Sequence, residues 1–165
     1  MTMAKGIANG LPLGAEITSG EIADSLVKNS ISTFGGNPVS CAAANATINI
    51  IQRDNLADNC ENMGKVLRLG LEQLQIKYPK IIGDVRGMGL MQALELVVDE
   101  TKNDRTPNAE AATVLMEETK KRGLLIGRGG LHGNILRISP AMNISKSDVE
   151  NALEKLTDAF QAMNQ

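Results

Sequence analysis

One lysine stands among small and apolar residues close to the start of the sequence, in the segment TMAKGIANGLPLGA (2–15). Lysine side chains are ordinarily solvated surface charges, so Lys5 by itself indicates no function. Three glycines and Pro12 follow it within ten positions, which excludes a regular helix and predicts a loop of defined shape. A lysine beside such a loop is a candidate functional residue.

A second candidate lies in the segment STFGGNPVS (32–40). The Thr33 hydroxyl, the backbone amides freed by the following glycine pair, and a helix N-terminus begun by Asn37 and Pro38 together form a cradle suited to a phosphate. The same residues also fit a plain turn followed by a helix that Asn37 caps. The pattern alone leaves both interpretations open.

The third candidate is Arg137, in the segment NILRISP (134–140). Side chains alternate along a strand, so Leu136 and Ile138 face one side while Arg137 and Ser139 face the other. A guanidinium held out from a rigid strand can clamp a carboxylate through two parallel hydrogen bonds. The alternative is an ordinary surface arginine that pairs with a neighbouring acid.

The remaining polar motifs indicate no chemistry. The glycine cluster GRGGLHGN (127–134) leads into a strand, whereas the dinucleotide-binding motif opens a helix, so a nucleotide loop is rejected. His132 has no partner at the spacing of a catalytic triad or a metal site, which favours a loop histidine. Cys41 and Cys60 form no CxxC pair, and no metal site is expected.

Composition limits the classes of protein and partner. The 165 residues are 42% hydrophobic and 22% charged, as in a globular domain. A net charge of −2, the absence of tryptophan and a single tyrosine argue against nucleic acid. No apolar run approaches the roughly 20 residues that span a bilayer, and no signal peptide is recognised, so no membrane partner is expected. The cysteine usage favours a reducing, cytoplasmic compartment.

Hydrophobic periodicity predicts the elements that position these residues. Before Pro79 it predicts a short strand over 13–17, a short helix over 20–29, a helix from Pro38 to near Asp54, and a long amphipathic helix over 56–78. From Ile81 onward it predicts the order β-β-α-β-β-α. The segments of that order are a hairpin or bulged strand pair (81–99), a polar loop (99–108), a helix (109–123), two strands (124–130 and 134–140) and a last helix (145–164).

Four segments in one order carry a resemblance to a known family: TMAKGIANGLPLGA, STFGGNP, VRGMGLMQALEL and LRISP. The chain resembles, over essentially its whole length, the class III, fold-type I, pyridoxal-phosphate-dependent aminotransferases, such as ornithine, acetylornithine and 4-aminobutyrate aminotransferases. The resemblance implies an α/β fold in which residues 1–79 end the large cofactor domain and residues 80–165 form the small C-terminal α/β domain. The long helix 56–78 could belong to either side.

The resemblance also implies a role for each candidate residue. Lys5 is the Schiff-base lysine of pyridoxal 5'-phosphate, Thr33 binds the cofactor phosphate of the neighbouring subunit in a homodimer, and Arg137 binds the substrate carboxylate. The implied activity is transamination between an amino or ω-amino acid and an oxo acid. In it Lys5 acts as nucleophile and as base, which requires that its amine be neutral part of the time.

The chain departs from the family pattern upstream of Lys5. The family's phosphate-binding glycine loop, its ring-stacking aromatic and its aspartate on the pyridine nitrogen have no counterpart in the four residues before Lys5. The sequence is therefore expected to be a C-terminal portion of such an enzyme, inactive alone. Two alternatives stay open, a noncatalytic folded module and a related pyridoxal-phosphate reaction on the same fold.

Overall fold

The computed structural model describes residues 1–163, which divide after Leu56 into two units. All but the first residue of the long predicted helix belongs to the second unit. The predicted division at 79/80 concerns the domains of a longer enzyme and stays a prediction. The predicted last helix ends at residue 164 and the predicted C-terminal domain ends at residue 165. Both residues lie outside the described residues. In the described part, no helix is both long and apolar enough to cross a membrane.

The first unit contains two very short strands and two helices, namely β1 (Thr2–Met3), β2 (Ala15–Glu16), α1 (Gly20–Asp24) and α2 (Pro38–Arg53). The two strands pair antiparallel, with Thr2 opposite Glu16 and Met3 opposite Ala15. The predicted strand over 13–17 is present as β2 but is only two residues long. Its partner β1 was not predicted, since two residues are too few to show alternation.

Helix α2 begins where its capping residues predict. The Ser40 backbone N–H donates to Asn37 Oδ1 at 3.0 Å, and Pro38 occupies the first turn, where its missing N–H costs nothing. The helix ends at Arg53, beside the predicted Asp54. Its buried residues, Ser40 and Ala44, are small, and α2 packs against the turn that follows β1. Small side chains permit that close approach.

The second unit is an antiparallel sheet covered by three helices. Its strand order is β3-β4-β7-β6, and β5 pairs with β4 outside that path. The elements are α3 (Leu56–Lys77), β3 (Ile82–Met88), β4 (Met91–Asp99), β5 (Asp104–Pro107), α4 (Ala109–Lys121), β6 (Gly127–Gly129), β7 (Ile135–Ile138) and α5 (Lys146–Met163). The predicted order β-β-α-β-β-α is confirmed, with β5 as an addition.

Strand β5 corrects one prediction, because it lies inside the segment 99–108 that was expected to be a loop. It pairs Pro107 with Val97 and Asp104 with Asp99, with an irregular register between the pairs. All four of its residues are exposed, so no apolar alternation marks it in the sequence. Proline and aspartate are also typical of loops and edge strands.

The core lies between one face of the sheet and the helices. Alternation along β4 and β7 turns Leu94, Leu96 and Leu136 inward, and all three are fully buried. Each such side chain stabilises the fold by about 1.5–3 kcal/mol relative to an exposed one. The predicted apolar stripe of α3 is confirmed, with three leucines buried and the other two residues partly buried: Met63, Val66, Leu67, Leu71 and Leu74. The opposite face of the sheet carries polar side chains, among them those of Arg86, Glu95 and Arg137.

Candidate active site

Lys5 opens a single 3-10 turn, Lys5–Ala8, directly after β1. Its backbone takes the left-handed conformation, with a φ of 58°, which costs a non-glycine residue on the order of 1–3 kcal/mol. The β1–β2 pair closes this loop, and Ala8 is buried beneath it. The predicted shaped loop is confirmed. The Lys5 side chain is exposed and forms no ion pair with the described residues of its unit.

Thr33 begins a turn that leads into α2. The Gly35 N–H donates to the Ser32 carbonyl at 3.1 Å, and the Asn37 N–H donates to the Phe34 carbonyl at 3.3 Å. Gly36 has a φ of +68°, a conformation that favours glycine. The turn and cap are therefore both present. The Thr33 side chain is exposed, and its hydroxyl bonds to no described residue of this unit, which leaves it available to a ligand.

The structure places two of the predicted residues in the first unit and one in the second. The turn that Lys5 opens packs against α2, whose first residue comes five positions after Thr33 in the sequence. Lys5 therefore lies in a turn that contacts α2, and Thr33 lies shortly before the start of α2. Arg137 lies in the second unit, on β7.

Arg137 points out of the sheet as the alternation predicts, opposite the buried Leu136. Its register partners are Ala93 on β4 and Gly127 on β6. A Cβ added to Gly127 would lie 3.8 Å from Arg137 Nε, so the guanidinium extends over this glycine. Arg137 lines a cleft of about 350 Å³ together with Ser139. Within this unit it forms no ion pair with any residue that the structure describes.

A charged trio that the sequence analysis did not identify lies on the same face of the sheet. Arg86 Nη1 donates to Asp84 Oδ2 at 2.6 Å and to Glu95 Oε2 at 2.5 Å. The hydrogen bond to Asp84, followed by that to Glu95, raises the pKa of Arg86. The available signal was the spacing of Asp84 and Arg86 along β3, but Glu95 joins them only once the hairpin register is known.

The donor groups fit the cofactor that the family resemblance implies. Lys5 offers a primary amine, which can condense with an aldehyde, and Thr33 offers a hydroxyl, which can donate to a phosphate. Both side chains are exposed, and neither has a partner among the described residues of its unit. The chemistry of these two groups therefore matches pyridoxal phosphate.

Comparison with known proteins identifies a family for nearly the whole chain. Residues 1–160 match the model of a family described as aminotransferase class-III. A mitochondrial alanine–glyoxylate aminotransferase 2 homologue from Arabidopsis thaliana is 43% identical over 99% of this chain, which spans 34% of that protein.

Two solved structures have the same fold. A phospholyase from Arthrobacter in complex with phosphoethanolamine superposes with a TM-score of 0.89 at 31% identity, over 97% of this chain and 38% of that one. An amine transaminase from an uncultivated Pseudomonas species, in its PLP-bound form, superposes with a TM-score of 0.85 at 31% identity, over 98% of this chain and 38% of that one. This chain spans about a third of each relative, and it belongs to the class III aminotransferase family.

Proposed function

We propose that this chain is the C-terminal portion of a pyridoxal-phosphate-dependent aminotransferase. The observation that carries the proposal is the position of Lys5, exposed and held in a left-handed loop, within a chain that matches the family over residues 1–160. The proposed reaction transfers an amino group from an amino or ω-amino acid to an oxo acid. The longer protein is a homodimer in this proposal.

Each candidate residue has a distinct proposed task. Pyridoxal phosphate, when bound, supplies an aldehyde that takes up an amine and a ring that accepts electrons. Lys5 Nζ would hold that aldehyde, and its free amine would carry a proton to and from the substrate carbon. Thr33 Oγ1 donates to the cofactor phosphate of the neighbouring subunit. The Arg137 guanidinium binds the substrate carboxylate through two parallel hydrogen bonds.

Replacing Arg137 tests the substrate part of the proposal. In the longer enzyme, Arg137→Gln removes charge-assisted hydrogen bonds worth about 1.5–3 kcal/mol, so KM for the amino donor rises about 10- to 100-fold. Initial rates measured over a range of donor concentrations give this value. Arg128→Gln is the matched control, because Arg128 lies on β6 with its side chain donating to Thr113. An unchanged KM in Arg137→Gln would remove this residue from the substrate site.

A second candidate function is a noncatalytic folded module, which is compatible with the share of its relatives that the chain spans, 34% for the Arabidopsis protein. Titrating the 165-residue chain with pyridoxal phosphate separates the two functions. Tight binding with amino-group transfer would exclude the module. Weak, exchangeable binding without turnover is expected if the rest of the cofactor site belongs to a longer protein. Mass spectrometry of the products separates transamination from another reaction, such as the lyase chemistry of the Arthrobacter neighbour.

The cytoplasmic compartment is also a proposal. Cys41 and Cys60 are both free, which fits a reducing environment. The Arabidopsis relative is mitochondrial by its name, so cell fractionation with an antibody to this chain is the deciding measurement. Recovery in the mitochondrial fraction would contradict the proposal.

A further inference from the structure

Two arginines share one row of the exposed sheet face. Ala93 is the register partner of Arg86 on one side and of Arg137 on the other, so the three side chains point the same way. Glu95 is two positions from Ala93 on the same strand and therefore also faces this side. The face thus carries two guanidinium groups, one on each side of the strand that holds Glu95.

Glu95 is a diagonal neighbour of both arginines. It stands opposite Asp84 on β3 and opposite Ile135 on β7, and each arginine lies two positions beyond one of these partners. Diagonal neighbours are about 7–8 Å apart, within reach of long side chains. Glu95 is therefore within reach of both arginines; the structure shows its pair with Arg86, and the Arg137 guanidinium extends over Gly127 on β6 instead.

Arg86 is held in position from both sides. From α3, Arg68 Nη1 donates to the Val85 carbonyl at 2.5 Å, and Arg68 Nη2 donates to the Gly87 carbonyl at 2.8 Å. These are the carbonyls that flank Arg86 on the edge strand of the sheet. Arg86 in turn bridges Asp84 and Glu95, which are directly opposite each other and would repel without it.

We infer that Arg86 is a positioning residue that keeps Glu95 away from Arg137 and so leaves the Arg137 guanidinium free for a substrate carboxylate. Arg137 has no ion pair within its unit's described residues, although a carboxylate lies diagonally across the neighbouring strand. A competing internal pair would have to be broken before a ligand could bind. The inference rests on the proposed role of Arg137, and it adds a residue that sets the affinity of that site.

The direct test follows the Arg137 side chain in the 165-residue chain labelled with 15N-arginine. In Arg86→Gln, Glu95 turns to Arg137, and exchange of the Arg137 Nε–H with water slows about three-fold or more, as expected for a new exposed ion pair. The double variant Arg86→Gln/Glu95→Gln restores the wild-type exchange rate. Unchanged exchange in Arg86→Gln, or slow exchange that persists in the double variant, overturns the inference.

Kinetics of the longer enzyme supply the second readout. Arg86→Gln raises KM for the amino donor about 3- to 5-fold with kcat unchanged, and adding Glu95→Gln restores KM. A purely structural defect would not be rescued by removing a second charge. A KM that Arg86→Gln leaves unchanged, in an enzyme where Arg137→Gln raises it, overturns the inference. If Arg137→Gln leaves KM unchanged, the proposed role of Arg137 fails instead, and with it the link between Arg86 and affinity.

Two further variants serve as controls, one at another paired arginine and one that keeps the charge at position 86. Arg105→Gln removes another exposed arginine, which lies on β5 and pairs with Glu100, and it should change neither readout. Arg86→Lys keeps the charge but offers a single point donor, so it should give an intermediate exchange rate even if Arg86→Gln fails to fold. Wild-type behaviour of Arg105→Gln is required, and a slow Arg137 exchange rate in that variant would contradict the inference.

Discussion

Asp99 is a buried carboxylate whose charge is matched by its immediate neighbours. The Thr101 hydroxyl donates to Asp99 Oδ1 at 2.5 Å, and the ammonium groups of Lys102 and Lys80 lie 3.4 and 3.9 Å from Oδ2. The Thr101 hydrogen bond lowers the pKa of Asp99 most, burial opposes it, and the two lysines lower it further, so the pKa lies below its usual value. The ionised form is therefore favoured by folding, and the residue links the stability of the second unit to pH.

Asp99→Asn should lower the free energy of unfolding at neutral pH but have much less effect in acid. Because the folded pKa is depressed, the contribution of Asp99 is complete above the unfolded value, about 3.9, and is lost as pH falls through the folded value. Urea titrations of both proteins at pH 7 and pH 3 give the comparison. A difference in unfolding free energy that grows on acidification would contradict the assigned direction.

The sequence was sufficient to predict the conformation or contacts of some of these residues but not of others. The direction of Arg137 follows from alternation alone, and the Asn37 cap follows from residue type and from Pro38 beside it. The bridge from Arg86 to Glu95 depends on the register of two strands, which the sequence does not specify until the hairpin turn is placed. The left-handed backbone of Lys5 was likewise beyond prediction, since lysine seldom adopts it.

Helix α3 and the β3–β4 turn meet at two glycines. A Cβ built on Gly64 would lie 2.4 Å from the carbonyl carbon and oxygen of Gly89, so the two backbones approach as closely as glycine allows. Gly89 itself has a φ of +51°, which the tight turn requires. At a second glycine of α3, Gly70, the three atoms nearest to an added Cβ all belong to the side chain of Leu153, the closest at 2.3 Å.

Gly64→Ala should destabilise the second unit by about 2 kcal/mol, because a backbone in contact with another backbone cannot move aside. Gly70→Ala is the matched control and should cost less than about 1 kcal/mol, since Leu153 can change rotamer and alanine favours the helix. Denaturant unfolding monitored by circular dichroism gives both values. Equal losses of unfolding free energy in the two variants would show that the backbone contact with Gly89 adds no cost beyond that of a side-chain contact.

Prediction of the elements succeeded where a pattern extends over several turns. The three long helices of the second unit were found because their apolar stripes repeat, and the hairpin was found because Gly87 and Gly89 interrupt two apolar runs. Strand β5 was missed because it has four exposed residues and owes its conformation to pairing with β4. Long-range pairing of this kind leaves little trace in a local sequence.

Large apolar side chains of the first unit lie on its surface. Val27, Ile31 and Phe34 are 88, 95 and 82% exposed, and Ile22 and Leu26 are exposed as well. An exposed apolar set of this kind, close together in sequence, is typical of a surface that binds another protein surface. We expect the isolated chain to associate with itself through this segment, in keeping with the homodimer proposed for the longer enzyme.

Ile31→Asn/Phe34→Ser should weaken that association, because it removes two of the most exposed apolar groups. Sedimentation velocity over a range of concentrations should show oligomers for the wild-type chain and a shift toward monomer, about ten-fold or more in dissociation constant, for the variant. Leu131→Asn is the control, since Leu131 is 94% exposed in the second unit. A wild-type chain that stays monomeric at high concentration would refute the expectation.

Covalent trapping shows directly whether Lys5 is the residue that holds pyridoxal phosphate. The protein is loaded with the cofactor, reduced with sodium borohydride to fix the cofactor on the amine that carries it, and digested for peptide mapping by mass spectrometry. We expect a pyridoxyl group on Lys5 of the longer enzyme, and its absence in Lys5→Ala with no new labelled position. A specific label on any other lysine, with Lys5 unmodified, would mean that Lys5 does not hold the cofactor.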